Sequence, residues 1–502
     1  MSKKRILSLL LCVLLLAGST ACGSDTPAET SADAGTTAGD TVPAADGAAE
    51  EAPVETETER IAKDVSGIDY AGYEFRMWNY DNVADNGWAP TDIPNDIYSA
   101  ELNGDALNDA VFERNRTVEE MLNIKIVGDD KGSGDMTTGL RQSVTSGSND
   151  VDAAFPRVYD FSSYVTNTYL LNLNNLSSFD REAPWWNTDA NNLMTIQGKL
   201  LGMISDITYY DKVCTIVTYF NQKLAEDYQL GNLYQTVSDN KWTIDNLLSM
   251  AADVSADVNN DNVYDMNDAY PLSCQNDAAY YFLHGGDKRI CGTDSEGKVV
   301  LTLGDESTVN VLQKIYEIMG NEKQFLNRQT HGATLNDAIN MFCENRVMFL
   351  VRPIQSLFLM RNMEADFGIL PVPKMTEDQK SYGSAVNPYA GTIMCFPKTV
   401  ADAERSATVT EVLAWESHYS VIDPLYENIL GSKLIRDDGA AQMLDIVFDT
   451  VVYDIGMIWN FGDVSTKLLT NTGTDIASLL ASIQKPVETG IKTFEKVLSK
   501  ID

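Results

Sequence analysis

Histidine is scarce in this chain, with three in 502 residues, so imidazole acid–base catalysis and histidine-rich metal clusters have little to work with. Positive charge is short as well. Lysine and arginine total 37 against 73 acidic residues, a formal net charge of −36. That excludes binding to a nucleic-acid backbone, which needs a basic surface, and an electrostatic grip on anionic lipid. Seven cysteines are too few for a disulfide scaffold. No run of 18 apolar residues occurs, so no transmembrane helix is expected. His-Glu-x-x-His, Gly-x-Ser-x-Gly, Walker and Gly-x-Gly-x-x-Gly motifs are all missing. What is present is an ordinary core-forming composition, 44% hydrophobic, in a chain long enough for two or three domains.

The first residues point to export. Lys3, Lys4 and Arg5 precede an 11-residue run from Ile6 to Leu16 that is apolar except for Ser8. This is too short to span a bilayer but suits a signal-peptide core. Ala17, Gly18, Ser19, Thr20 and Ala21 then lead to Cys22. Small residues ending in cysteine resemble the bacterial lipoprotein signal, in which that cysteine is acylated after cleavage. Ser19 stands where the usual pattern has Leu; ordinary secretion with an incidental Cys22 is the alternative. The expected leader is 1–21, and its removal takes away three positive charges and no negative ones. Residues 22–64 have no aromatic residue and only Val42, Val54 and Ile61 as large aliphatics. Such a stretch cannot bury enough surface to offset chain entropy, and is expected to be a disordered acidic tether. The body would then sit at the extracellular face of the cell membrane, held by lipid.

The body alternates strands and helices. Tyr73–Trp78 reads as a strand, Leu107–Leu122 as a helix, Ile124–Val127 as a strand, a segment through Leu140 and Val144 as a helix, and Val151–Phe155 as a strand. Later, Arg346–Val351 and Phe367–Val372 read as strands around a helix at Gln355–Met363; Ala407–Tyr419, Gly439–Phe448 and Ile476–Leu498 read as helices. This order predicts an α/β fold with a mostly parallel sheet.

Several local signatures carry a family resemblance. They are Phe220-Asn221-Gln222-Lys223-Leu224, Asn232-Leu233-Tyr234, Lys241-Trp242-Thr243-Ile244-Asp245, Asp366-Phe367-Gly368-Ile369-Leu370-Pro371-Val372-Pro373-Lys374, Cys395-Phe396-Pro397-Lys398, and Met443-Leu444-Asp445-Ile446-Val447-Phe448-Asp449. Their order, with the lipoprotein-like start, resembles the extracellular solute-binding proteins (family 1) of bacterial ABC importers over about residues 68–502. The resemblance implies a two-lobed periplasmic-binding-protein-like (type 2) fold, with a hinge that the chain crosses more than once. Crossings are expected near Ile204–Thr218, Val351 and Pro388–Thr392. That gives an N-terminal lobe of 65–208 plus 351–388 and a C-terminal lobe of 209–350 plus 389–502. It also implies a monomer that captures a small solute, most often carbohydrate, and delivers it to permease subunits without catalysis.

Sugars are bound by aromatic faces and by planar polar groups that satisfy hydroxyls. Candidates lie where strands end or lobes cross: Trp78, Asn79, Arg157, Tyr159, Asp160, Trp185, Trp186, Asp206, Tyr209, Tyr210, Asp211, Arg352, Asn387, Tyr389 and Trp459. Core or hinge packing is the competing role for each aromatic, and Trp242 and Trp415 are read as core. The acidic surface disfavours highly anionic ligands, with Arg157 or Arg352 as a local exception.

One 12-residue stretch, 257–268, has calcium-loop spacing resembling EF-hands and dockerins. Asp257, Asn259, Asp261, Asp265 and Asp268 stand at positions 1, 3, 5, 9 and 12, and the Val263 carbonyl stands at position 7. A structural Ca2+ is the expected occupant and a solvated acidic turn the alternative. Asn262 replaces the usual Gly, and Asp268 the usual Glu. Of the five cysteines after Cys22, Cys274 and Cys291 are the only pair considered for a bridge, although none is expected; Cys343 and Cys395 read as buried thiols. Two carboxylates suffice for a glycosidase, so a surface glycoside hydrolase is the competing class. A ligand-presenting sensor or adhesin would share the fold.

Overall fold

The computed structural model describes residues 60–82, 93–430, 438–471, 473 and 475–501. The leader, Cys22 and most of the expected tether lie outside the described residues. Residues from Lys63 to the C-terminus form one compact unit.

The first lobe is built on β1 (Tyr73–Tyr80), β2 (Ile124–Lys131) and β3 (Ala153–Phe155), a parallel sheet of order β2-β1-β3. Helix Ala106–Leu122 connects β1 to β2. Asp105 caps it by accepting from the amides of Leu107 and Asn108, and Asn123 ends it in the left-handed conformation. Its buried stripe, Leu107, Val111, Arg114, Asn115, Val118 and Leu122, follows helical spacing. Helix Ser133–Ser146 makes the second crossover and Val158–Thr166 follows β3.

The second lobe holds β4 (Ile216–Asn221), β5 (Tyr270–Cys274), a separate hairpin of β6 (Cys291–Thr293) and β7 (Val299–Leu301), β8 (Phe325–Asn327), β9 (Val347–Pro353) and β10 (Phe367–Leu370). Its sheet runs β10-β4-β9-β5-β8. β5, β8 and β9 are parallel, while β4 is antiparallel to both β9 and β10, so this sheet is mixed rather than mostly parallel. The segment after β9, expected as a regular helix, is a 3₁₀ helix over Ile354–Leu359.

The hinge corrects the expected boundaries. The segments expected as crossings at 204–218 and 388–392 run side by side: Met203 bridges Met394, and Thr215 bridges Val386. At Val351 the chain does not cross. β9 and β10 both pair with β4, so 351–385 belongs to the second lobe. Residues 391–420 return to the first lobe instead, where Ala154 bridges Cys395 and helix Ala403–Ser420 packs on Ala106–Leu122. The physical reason is hydrogen bonding: β4 is satisfied on both edges only if β9 and β10 flank it. Helix Asp438–Asp449 then packs against β10, returning the chain to the second lobe.

Buried polar groups lock the crossings. Arg114 is fully buried and donates to the carbonyls of Asp96 (2.9 Å), Ile97 (2.7 Å) and Ile207 (3.0 Å), to the Asn115 side chain (2.9 Å) and to the Ser417 hydroxyl (3.3 Å). Thr208 donates to the Asp96 carboxyl and lies 3.1 Å from Thr392 on the other crossing segment. Burial pushes the Asp96 carboxyl up to about 6, against the pull of Thr208 and Arg114. In the C-terminal part, Gly462 has φ +59° and sits so close to the helix Ile476–Leu498 that a Cβ would lie 2.4 Å from the Pro486 backbone.

Candidate ligand-binding site

The parallel strands of the second lobe end on one side, and their polar termini meet there. Gln275, Asn276 and Asp277 follow β5; Arg328 and Gln329 follow β8; Arg352 is near the end of β9. With Leu335, with Asn387 and Tyr389 from the hinge, and with Thr466, Leu469 and Thr470 from helix Val464–Thr470, they line a cavity of about 400 Å³. Carboxyl ends of parallel strands are where open α/β sheets place ligands, because the connecting loops diverge there and leave a crevice.

Tyr389 links this cavity to the first lobe. Its ring lies 4.7 Å from that of Tyr159, tilted by 32°. The Tyr159 amide donates to the Pro388 carbonyl, and the Tyr389 amide donates to the Asn387 side chain. Tyr159 is held beside Arg157, whose guanidinium lies 5.5 Å from both the Tyr159 and Tyr80 rings. Arg157 forms a two-pronged ion pair with Asp160, at 2.5 and 3.2 Å, and Ser133 also donates to Asp160. Burial alone would lower the Arg157 pKa, but Asp160 raises it, so this cation is firmly neutralised by its own neighbour.

The second-lobe wall is arranged differently. Arg352, 4% exposed, donates to the Gln275 amide oxygen at 2.7 Å. Arg328 donates twice to that same oxygen, at 2.8 and 3.1 Å, and once to the Ala333 carbonyl. The Gln275 nitrogen donates to Asp277, which also accepts from Tyr280. Burial lowers both guanidinium pKa values and raises that of Asp277.

Of the residues expected from the sequence, Arg352, Asn387 and Tyr389 line the cavity, Tyr159 stacks behind Tyr389, and Arg157 and Asp160 brace Tyr159. The others are placed elsewhere. Trp185 and Trp186 are buried in the first lobe, where their indole N–H groups donate to the two oxygens of Glu411 at 3.0 and 2.9 Å; Lys63 pairs with the same carboxylate. Trp459 is core, packed between Phe161 and Phe494 at 5.3 and 4.6 Å. Trp78 is buried in the first sheet with Lys131 over its face, and Asn79 is buried against Asn95 and Asp130. Tyr209 and Tyr210 stack in the hinge core, with the Tyr209 hydroxyl on the Pro94 carbonyl. Asp206 and Asp211 hold Lys212, and Asp206 also meets His418 at 2.6 Å. Burial pushes the Asp206 carboxyl up, but Lys212 and His418 outweigh it and hold it below its ordinary value. Trp185, Trp186, Tyr209, Asp206 and Asp211 have their polar tips partnered inside the protein, whereas Trp459 is held by ring packing and its Nε1 is buried without a hydrogen-bond partner.

Gln275, Asn276, Asp277, Arg328 and Gln329 were not legible as site residues. β5 and β8 are five and three residues long, with no alternation to mark them. The polar triplet Gln275-Asn276-Asp277 directly after the short segment Tyr270–Cys274 is the signal that could have found them.

In the loop 257–268, Asp257 accepts from the amides of Asp261 and Asn262, Asp261 from Val263, and Asp268 from Val258 and Asp265. Asn262, with φ +65°, occupies the left-handed turn. Among the described residues, no group of three His, Cys, Asp or Glu side chains is placed to hold a metal ion. The five cysteines after Cys22 are free thiols, Cys343 half-buried and the others buried. Among the described residues, no helix is long and apolar enough to cross a membrane.

No family model matches the chain, and no curated protein matches it. Solved structures do. One is the galacto-N-biose/lacto-N-biose I-binding protein of an ABC transporter from Bifidobacterium longum, with a TM-score of 0.55 and 12% identity over 85% of this chain and 98% of that one. Another is a cyclic α-maltosyl-1,6-maltose-binding protein from Arthrobacter globiformis, with a TM-score of 0.54 and 12% identity over 84% of this chain and 99% of that one. A third is an ABC transporter solute-binding protein from Thermotoga lettingae bound with α-D-tagatose, with a TM-score of 0.53 and 13% identity over 84% of this chain and all of that one. The chain therefore has the two-lobed type 2 α/β fold of ABC-transporter solute-binding proteins.

Proposed function

We propose that this protein captures a small carbohydrate in the cleft beside Tyr389 and delivers it to an ABC permease, acting by binding and not by turnover. One observation carries the reading. A cavity at the strand ends meets the hinge, lined by an aromatic ring, four side-chain amides (Gln275, Asn276, Gln329, Asn387) and two guanidiniums. Aromatic faces cover sugar C–H surface, and planar amides and guanidiniums satisfy hydroxyls in pairs. Because the cavity includes residues of the crossing segment, closure of the lobes would reshape it, and ligand would shift the population toward the closed form. The three solved structures compared above are sugar-binding proteins by name or by bound ligand, which supports the same ligand class.

The signal-like run and Cys22 support a lipid anchor and an extracellular position on the cell membrane; the body acts as a monomer in this reading. We also propose that the 257–268 loop takes a Ca2+ ion in a structural role, on the strength of its donor spacing.

The test is thermal unfolding of the purified protein across mono- and oligosaccharides, peptides and other solutes. A ligand that binds only the folded state raises the melting temperature by mass action. A shift with a sugar, which is recovered intact, is the expected result. A shift with peptides or other solutes alone would overturn the carbohydrate assignment, and release of sugar from a glycoside would overturn the binding-only reading.

A further inference from the structure

The second-lobe wall of the cavity is electrostatically incomplete. Two guanidiniums, Arg328 and Arg352, place three N–H donors on one neutral acceptor, the Gln275 amide oxygen. Neither forms an ion pair within 4.0 Å among the described residues. Asp277, the nearby carboxylate, is engaged by Gln275 and Tyr280 instead. Arg352 is almost wholly buried, and its Nε has no hydrogen-bond partner. A buried guanidinium with an empty donor carries a desolvation cost that its own fold does not offset. Both arginines line the cavity.

We propose that this site selects a sugar bearing one carboxylate, an acidic monosaccharide or an oligosaccharide with a single acidic unit, whose carboxyl group is received by Arg352 and Arg328. This deepens the carbohydrate reading and rests on it. The planar fork of a guanidinium matches a carboxylate in two-pronged geometry. The hydrogen-bonded set at the wall holds two arginines and one aspartate, Asp277, and one ligand carboxylate balances that set; Asp337 also acts on Arg328, which leaves no room for a second ligand charge. A chain of acidic units would meet the surrounding protein, whose net charge is −36, and be repelled beyond the wall. Tyr389 and the amides of Asn276, Gln329 and Asn387 are left for the rest of the sugar.

The experiment is isothermal titration of the purified protein with glucuronic and galacturonic acids and their disaccharides, their neutral counterparts glucose and galactose, glucose 6-phosphate, glucose 6-sulfate, and non-sugar carboxylates. It is repeated on Arg352→Gln, Arg352→Lys and Arg328→Gln. The expected result is a uronate preference of about 10- to 100-fold over the neutral sugar, the range of a charge-assisted hydrogen bond. That preference, read as the ratio of uronate to neutral-sugar affinity within each variant, should fall to near unity in Arg352→Gln and be partly retained in Arg352→Lys. Melting temperatures without ligand check that each variant folds, and Arg328→Gln gives a second reading should Arg352→Gln fail to fold. Equal or tighter binding of neutral sugars, or an unchanged preference in folded arginine variants, overturns the inference and leaves the carbohydrate reading standing. A preference for phosphate or sulfate over uronate overturns the carboxylate assignment. Binding of non-sugar carboxylates alone, lost in Arg352→Gln, overturns the carbohydrate reading while keeping the arginine pair as the carboxylate receiver. Binding of none of these probes overturns both.

Discussion

Arg114 and Arg352 are both buried arginines, and their surroundings could hardly differ more. Arg114 distributes its donors over three backbone carbonyls and two side chains, and so ties the helix Ala106–Leu122 to the crossing at Ile207 and to Ser417. Arg352 makes one side-chain hydrogen bond, leaves its Nε empty and faces a cavity it shares with a second arginine. Burial alone therefore says nothing about whether a charged group serves the fold or a ligand. The setting of the donors separates the two: those of Arg114 are taken up by its own fold, whereas Arg352 combines an unpartnered Nε with a place in the cavity wall. Arg157 gives an intermediate case: it lies near the cleft, but Asp160 has already taken its fork.

The sharpest way to break this comparison is to remove each arginine in turn. Arg114→Leu strands several carbonyls and the Asp96 carboxyl, and should cost about 3–5 kcal/mol by denaturant unfolding. Arg352→Gln should change the ligand-free stability by less than about 1 kcal/mol, since it removes a buried charge held by one side-chain hydrogen bond and no ion pair. Equal losses from the two would erase the distinction.

A carboxylate in the same hinge network sharpens it further. Asp96, raised to about 6, lies above its unfolded value of about 3.9, so its contribution to stability is full below pH ~4 and lost as pH rises through about 6. Asp96→Asn imitates the protonated form. It should raise the melting temperature at pH 7.5, with the difference vanishing near pH 4 in a pH series of melts. Asp206, held low by Lys212 and His418, should contribute in the opposite sense, its stabilisation present above its unfolded pKa and fading as pH falls through the folded one.

A smaller effect concerns the cleft's ring. Tyr389→Ala should weaken sugar binding by about tenfold in titration, as expected for loss of one aromatic face, with the Tyr159 side losing only its stacking partner. The smallest is expected far from both arginines. Calcium should raise the melting temperature by a few degrees over chelator, and Asp257→Ala should abolish that shift; identical melts would leave the 257–268 loop as a turn closed by its own amides.

The strand–helix order of the first lobe was readable because its elements are long and regular. β1 alternates, and the buried stripe from Leu107 to Leu122 repeats at helical spacing. The second lobe was harder to read at its centre, since β5 and β8 are short and buried. The candidate site divides the same way. Arg352, Asn387 and Tyr389 were visible at element ends and at the crossing, whereas Trp185 and Trp186, conspicuous as a sugar-stacking pair, turned inward to Glu411. A tryptophan has one donor, and sequence does not say whether a protein acceptor 225 residues away or a solute will meet it.

By itself the sequence determined the charge balance, the apolar faces and the α/β alternation, because these depend on residue type and on spacing between near neighbours. Only the tertiary structure decided which lobe owns 351–385 and 391–420, and which polar tips remain unsatisfied. The site follows from strand order: placing β5 between β9 and β8 brings Gln275 to Arg352, 77 positions away, and to Arg328, 53 away. That neighbourhood is set by which strand edges find each other, a choice made over the whole sheet and written in no local stretch of the chain.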